Sequence, residues 1–234
     1  MSNTHPGSFV EARAVGKTVI NGDTTLTLLD DINFTVAAGT SVAILGASGS
    51  GKTTLLGLLA GLDDTSRGKI IIDGHCLNDL DEDGRAALRA SSIGFVFQNF
   101  QLLHSLNTIE NVMLPLELAG VKQARELGQH LLERVGLSDR ANHYPNQLSG
   151  GEQQRCAIAR AFSTQPRLLF ADEPTGNLDI DTGQRIIDLL FELNSEQGTT
   201  LIMATHDTVL ADKCGRRLEL KAGRLLSDSV ITPY

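Results

Sequence analysis

Gly46-Ala47-Ser48-Gly49-Ser50-Gly51-Lys52-Thr53-Thr54 follows directly on the apolar stretch Ser41-Val42-Ala43-Ile44-Leu45. A strand that ends in G-x-x-x-x-G-K-T turns backbone N–H groups inward around a phosphate, and the lysine reaches the β- and γ-phosphates of a nucleotide. Glycines supply the backbone angles the turn needs. The leucine-rich helix that starts near Gly51 adds its positive end, and Thr53 offers a hydroxyl to Mg²⁺. With glycine at about 7% of residues, such a run arises by accident in roughly one chain in a hundred of this size. Its position between a strand and a helix makes accident rarer still.

Three further places carry groups suited to the same chemistry. Leu168-Leu169-Phe170-Ala171-Asp172-Glu173 is an apolar strand closed by two carboxylates. Asp172 is suited to hold Mg²⁺ through water, as strand-end aspartates do in phosphoryl transfer. Glu173 lies one step on, where a carboxylate polarises an attacking water, and Pro174 biases it away from helical angles. Ser149-Gly150-Gly151-Glu152 reads as a capping box opening a helix, and its two glycines exceed what a cap requires, so the same end is an anion site. Gln98 and His206 each follow a predicted strand. Alone, both are ordinary loop residues. In this company Gln98 is placed to meet Mg²⁺ and water, and His206 the γ-phosphate.

The elements that position these groups are legible as strands alternating with helices. Ser8–Val15 and Leu28–Val36 look like antiparallel strands, the second with Ile32, Phe34 and Val36 alternating. Ser41–Leu45 feeds the phosphate loop and a helix over Lys52–Ala60. Lys69–Asp73 predicts a strand, Glu82–Ala90 a helix and Ile93–Phe97 a strand. From Thr108 to Asn142 the period becomes helical, through Ile109, Val112, Met113 and Leu116, then Leu127, Leu131, Leu132 and Val135. Strand and helix resume with Arg167–Ala171, Asp181–Glu196, Thr200–Ala204 and Thr208–Asp212. A hairpin at Arg217–Leu220 and Arg224–Ser227 closes the chain. This order predicts an α/β fold with a mainly parallel core sheet, an amino-terminal antiparallel part and a helical insertion, with ligands at the strands' carboxyl ends.

Composition narrows the partners. The chain has 234 residues, a net charge of −8 and no basic stripe, which argues against nucleic acid. Its most apolar segment, Leu55–Leu62, falls far short of the roughly 18 residues that span a bilayer, so any membrane role is expected to run through a partner. Met1–Val10 has no charged head followed by an apolar stretch, so no secretory signal is expected. Cys76, Cys156 and Cys214 form no C-x-x-C pair and read as reduced packing residues of a cytosolic protein.

Taken in order, Gly46–Thr53, Gln98, Leu148–Gln153, Leu168–Glu173, Asn177-Leu178-Asp179 and His206 resemble the motif set of the ATP-binding-cassette (ABC) ATPases, and that set covers nearly the whole chain. Gly61–Asp64, Phe95–Leu103, Glu110–Pro115 and Ala171–Asp179 resemble the lipoprotein-release and macrolide-export group, most closely its YbbA-type ATPases, which accompany a large inner-membrane permease. The resemblance implies one ABC ATPase domain over residues 1–234, with a helical subdomain at about 100–160 inserted in a RecA-like P-loop core. It implies ATP and Mg²⁺ as cofactors, held by Gly46, Ala47, Ser48, Gly49, Ser50, Gly51, Lys52, Thr53 and Thr54, with Thr53, Gln98 and Asp172 on the metal. Glu173, Gln98 and His206 become the catalytic set. Ser149, Gly150, Gly151 and Asp179 are implied to contact nucleotide held by a second copy in a head-to-tail homodimer. The implied setting is the cytoplasmic face of the inner membrane, reached only through the permease. A soluble member acting on ribosomes or DNA is disfavoured by the lack of a second cassette or long coiled-coil insertion. A non-hydrolysing regulator is disfavoured by Glu173 and His206. Members usually carry an aromatic near Val19 to stack on adenine. This chain has none between Phe9 and Phe34, so weak base stacking is expected.

Overall fold

The computed structural model describes residues 8–22 and 24–231. In chain order the elements are β1 (Ser8–Asn21), β2 (Thr24–Ala37), β3 (Ser41–Leu45), α1 (Lys52–Leu59), β4 (Arg67–Ile72), β5 (His75–Cys76), α2 (Glu82–Ser92), β6 (Ile93–Val96), α3 (Thr108–Leu118), α4 (Ala124–Arg134), α5 (Gly150–Phe162), β7 (Leu168–Asp172), α6 (Ile180–Gln197), β8 (Thr200–Thr205), α7 (Thr208–Ala211), β9 (Arg216–Lys221) and β10 (Arg224–Val230). They form two compact units. One comprises residues up to 89 together with those from 200 onward; the other comprises residues 90–199.

The first unit holds an antiparallel sheet in the order β2-β1-β4-β5, with β1 paired to β2 from Ser8↔Ala37 to Asn21↔Thr24 and to β4 through Val10↔Ile72. Ile32, Phe34 and Val36 of β2 are buried, as their alternation predicts. β1 runs six residues past the predicted Val15. Its register shifts near Ala12–Thr18, Ala14 takes φ +49, and the Ala14 N–H goes to Asn33 Oδ1 at 2.7 Å. Such bulges break the two-residue period without ending the pairing, so the strand outlasts its own signal.

The same unit holds strands in the order β10-β9-β3-β8. β3 runs parallel to both β8 and β9, and β10 closes antiparallel on β9. All six residues of β8 are buried, as are Val42, Ala43 and Ile44 of β3. Strands covered on both faces read as continuous apolar runs rather than as alternation. α1 buries Leu55, Leu56, Leu58 and Leu59, each contributing roughly 1.5–3 kcal/mol. Those leucines fix the helix whose first turn ends the phosphate loop.

In residues 90–199, β6 and β7 pair in parallel from Ile93↔Leu168 to Val96↔Ala171, and every residue of β7 is buried. Helices α3, α4 and α5 pack on one another. Their approach is close at Gly128, where a Cβ would lie 2.9 Å from both Ile109 and Met113 side chains. Ile109, Val112, Met113, Leu116, Leu132 and Val135 are buried as their spacing predicts. Leu127 departs from that pattern and is 41% exposed. Among the described residues no helix is long and apolar enough to cross a membrane.

Candidate functional site

The phosphate loop leaves β3 at Leu45 and enters α1 at Lys52. Gly46 N–H donates to the Thr205 carbonyl at 3.2 Å, tying the loop's first residue to the end of β8. Gly46 has no room for more: a Cβ there would sit 2.4 Å from the Leu220 carbonyl oxygen and 2.5 Å from Ser50 Oγ. Gly49 and Gly51 take φ +77 and +105, and Gly51 caps α1 without any side-chain hydrogen bond. The first N–H groups of α1 are therefore left to the loop's interior, as an anion site requires. Ser50 Oγ is buried and has no hydrogen-bond partner among the described residues. Lys52 is 5% exposed and folds over the loop, donating from Nζ to the carbonyls of Gly46 at 2.8 Å and Ala47 at 3.2 Å. Thr53 is exposed and Thr54 half-buried at the same end. His206 follows β8 directly, so the parallel pair Leu45↔Thr205 puts it and the loop at the carboxyl ends of neighbouring strands. It is exposed, one residue before Asp207, which caps α7 by accepting from Val209 N–H at 2.8 Å.

A support for this loop escapes a motif search. Gly223, in the turn between β9 and β10, donates its N–H to the Ser50 carbonyl at 3.0 Å, and its carbonyl accepts from Asp30 N–H at 2.8 Å. With φ +76 and a Cβ position 2.4 Å from the Leu28 carbonyl oxygen, only glycine fits there. The sequence Lys221-Ala222-Gly223 reads as a hairpin turn and says nothing of the loop it braces.

The other groups lie in residues 90–199. Gln98 is half-buried past β6, with Nε2 3.5 Å from Asn177 Oδ1, and Asn177 Nδ2 donates to the Gln98 carbonyl at 3.0 Å. Asp172 ends β7 and is 9% exposed. Glu173 takes φ +44, a left-handed angle that Pro174 does not by itself impose. The following turn is held by Gln154, fully buried in α5, whose Nε2 donates to the Pro174 carbonyl at 2.6 Å. Ser149 caps α5 as predicted: its Oγ accepts from Glu152 N–H, and Glu152 Oε2 accepts from Ser149 N–H at 2.8 Å. Those bonds, led by the Ser149 backbone, and the Arg140 guanidinium at 3.0 Å hold the Glu152 carboxyl down to about 2. Asp179 caps α6 by accepting from Thr182 N–H at 3.0 Å, and this bond lowers its pKa. The two capped helix ends meet, because a Cβ on Gly151 would lie 2.7 Å from Thr182 Cγ2 and one on Gly150 3.3 Å from Leu178 Cδ2. Ser149–Gly151 and Asp179, far apart in sequence, are thus one cluster.

The ABC transporter family model matches residues 29–176. The chain belongs to the ABC transporter family. Its relatives include the ABC transporter ATP-binding protein YbbA of Escherichia coli K12, 51% identical over 95% of this chain and 98% of that protein. The lipoprotein-releasing system ATP-binding protein LolD of Xanthomonas campestris is 45% identical over 93% of this chain and 92% of its own length. Among solved structures, the dimeric post-hydrolysis state of the ATP-binding cassette MJ0796, bound to ADP and Pi, superposes with a TM-score of 0.89 at 39% identity, covering 96% of this chain and all of that one. This ABC ATPase is therefore an ATP-binding and ATP-hydrolysing transporter subunit of the group that contains YbbA and LolD.

The ATPase's own residues fit the nucleotide: a helix start with no side-chain cap, a lysine over the loop and a buried hydroxyl without a hydrogen-bond partner among the described residues suit a phosphate. Among the described residues no group of three or more His, Cys, Asp or Glu is placed to hold a metal ion. The three cysteines are free, and burial pushes the Cys156 and Cys214 thiols up to about 12 each, in keeping with packing roles.

Proposed function

We propose that this ATPase works as a head-to-tail homodimer that drives an integral inner-membrane permease from the cytoplasmic face, as a single cassette domain. The observation that carries the reading is the joined end of α5 and α6. Gly150 and Gly151 bring no side chain of their own to the first turn of α5, where Leu178 and Thr182 pack close, and Ser149 and the α6 cap Asp179 are exposed in the same cluster. A helix N-terminus of this kind, with Ser149 exposed, suits an anion. The dimeric MJ0796 cassette supports a second copy as the source of that anion.

In this reading Gly46–Thr54 wrap the phosphates with backbone N–H groups, and Lys52 exchanges its loop carbonyls for phosphate oxygens. Thr53, Asp172 and Gln98 would hold Mg²⁺, which would supply positive charge to offset that developing on the phosphate oxygens. Glu173 accepts a proton from water, and His206 and Gln98 orient the groups around the reacting phosphate. Ser149, Gly150, Gly151 and Asp179 serve the partner copy's nucleotide. The permease docks on the loop after Gln98, where Phe100 and Leu106 are half-buried and Leu103 is 45% exposed. Leu102, from the same apolar group, is 6% exposed and belongs to the core, so it is no part of this surface.

Mixing two dead variants tests the shared site. Gly151→Asp loses turnover but keeps nucleotide binding, Lys52→Ala loses binding, and their heterodimer regains activity at its one intact site. Inactive heterodimers that demonstrably form would overturn the head-to-tail arrangement. For the permease, Leu103→Asp keeps the fold by circular dichroism and abolishes copurification with a membrane protein in detergent. Retained copurification would move the docking surface.

A further inference from the structure

The chain between Gln98 and Asn107 has almost no regular structure, yet side chains from other elements of residues 90–199 hold its backbone at three points. Asn177 takes the first, bonding the Gln98 carbonyl at 3.0 Å and Asn99 Oδ1 at 2.9 Å. Asn111 of α3, fully buried, takes the third. It accepts from Leu103 N–H at 2.8 Å and donates to the carbonyls of Leu103 at 3.1 Å, Leu106 at 3.0 Å and Asn107 at 3.0 Å.

Between them Phe100 and Gln101 take φ +58 and +50. Two successive left-handed residues with side chains persist only where their surroundings impose it. The side chain that reaches both of them is Arg160 of α5. Its Nη1 donates to the Gln101 carbonyl at 2.7 Å and its Nη2 to the Phe100 carbonyl at 3.0 Å. A guanidinium is a rigid fork, suited to grip two neighbouring oxygens at once.

The grip links two parts of the proposed site. Arg160 lies ten residues into α5 from Gly150, about 15 Å along the axis, and helical side chains lean back toward the N-terminus. At that N-terminus the neighbours of Gly150 are Leu178 and the ring of Phe100, with Cζ 3.7 Å from where a Gly150 Cβ would stand. The same loop residue is thus held by its carbonyl at Arg160 and rests its ring beside the Ser149–Gly151 turn.

We infer that Arg160 is a positioning residue that locks the loop after Gln98 onto α5, so that Gln98 and the Ser149–Gly151 turn move as one body during turnover. The inference rests on the roles proposed above for those residues.

Four variants of the full-length ATPase test it: Arg160→Met, Arg160→Lys, Gln101→Gly and the Met–Gly double variant. In Arg160→Met the amides of residues 99–103 exchange faster with solvent, KM for ATP stays within about twofold, and kcat falls on the order of 10–100-fold, since small misplacements cost this much. Arg160→Lys keeps the charge but not the fork, and falls between; it decides the matter if the Met variant does not fold. Gln101→Gly lets the left-handed turn form without steric cost, so adding it to Arg160→Met restores loop protection and part of kcat. A folded Arg160 variant with unchanged exchange and kcat, or a double variant with no recovery, overturns the inference and leaves Arg160 as packing. Gly151→Asp run alongside separates the two readings. Normal turnover there means the site itself is misassigned, whereas a dead Gly151→Asp beside a normal Arg160→Met sinks the clamp alone.

Discussion

Gly49 and Gly51 give the phosphate loop its left-handed backbone at φ +77 and +105, whereas Phe100, Gln101 and Glu173 reach φ +58, +50 and +44 with full side chains. Glycine takes such angles without steric cost, so the left-handed angles of the phosphate loop come from its own residues, while Thr205 and Gly223 tie the loop in place. The other three lie in a region that costs roughly 1–2 kcal/mol per residue. They sit beside tertiary hydrogen bonds: Arg160 on the Phe100 and Gln101 carbonyls, and Gln154 on the carbonyl of Pro174, next to Glu173. A loop whose glycines take their angles at no cost needs its neighbours only as anchors. A loop shaped by a few long-range bonds can change when one of them lets go, which is the property wanted where hydrolysis must be felt elsewhere.

The largest expected effect falls on the tertiary side of this contrast. Glu173→Gln keeps size and hydrogen bonding but removes the proton acceptor, so kcat falls on the order of 10²–10⁴-fold while ATP binding survives. Phosphate release under single-turnover conditions measures it, and near-normal turnover would pass the role to another residue, with His206 next in line. On the local side, Gly51→Ala places a Cβ 2.9 Å from Leu29 Cδ2 at φ +105. It lowers stability by about 1–3 kcal/mol and weakens ATP binding. Melting curves and calorimetry that match the parent protein would show the loop less dependent on glycine than its angles say.

The two helix ends differ as well. α1 has no side-chain cap, while α5 is capped by Ser149 and Glu152. Since the folded Glu152 carboxyl lies at about 2 against an ordinary 4.5, its contribution is complete above pH 4.5 and lost as pH falls toward 2. Glu152→Gln therefore flattens the stability profile in that acid window, read by urea titration at several pH values, and an unchanged slope would mean other carboxylates govern it. The smallest effect is the mirror of Gly51→Ala. Gln101→Gly relieves a left-handed side chain but frees the unfolded chain, for a net gain of a few tenths to about 1 kcal/mol. A loss of stability there would mean the Gln101 side chain supports the loop in its own right.

The same contrast separates what was legible in the sequence from what was not. Glu152 and Ser149 are three residues apart, so their capping box could be read directly. Most strands and helices were equally plain, because burial on one face or both leaves a local period. β1 beyond Val15 was hidden by bulges, and nothing in the sequence marks Leu102 as buried beside exposed Leu103, because a loop has no period to say which side is inward. Arg160 shows as a lone cation in Ala157-Ile158-Ala159-Arg160-Ala161-Phe162, a signal that something polar awaits it. Its partners stand 59 and 60 residues away, and nothing in the run names them.

The amino-acid sequence by itself determined the phosphate loop, the cap of α5 and the order of strands that carries them. In each case the residues that interact are separated by a few positions, and backbone geometry does the rest. Only the tertiary structure decided that Gly223 braces Ser50, that Gly151 and Thr182 bring the ends of α5 and α6 into one cluster, and that Arg160 grips the loop after Gln98. Those contacts join segments distant in the chain, and the partners of Gly223 and Arg160 are backbone groups that every residue possesses. No pattern of side-chain types marks which ones will meet.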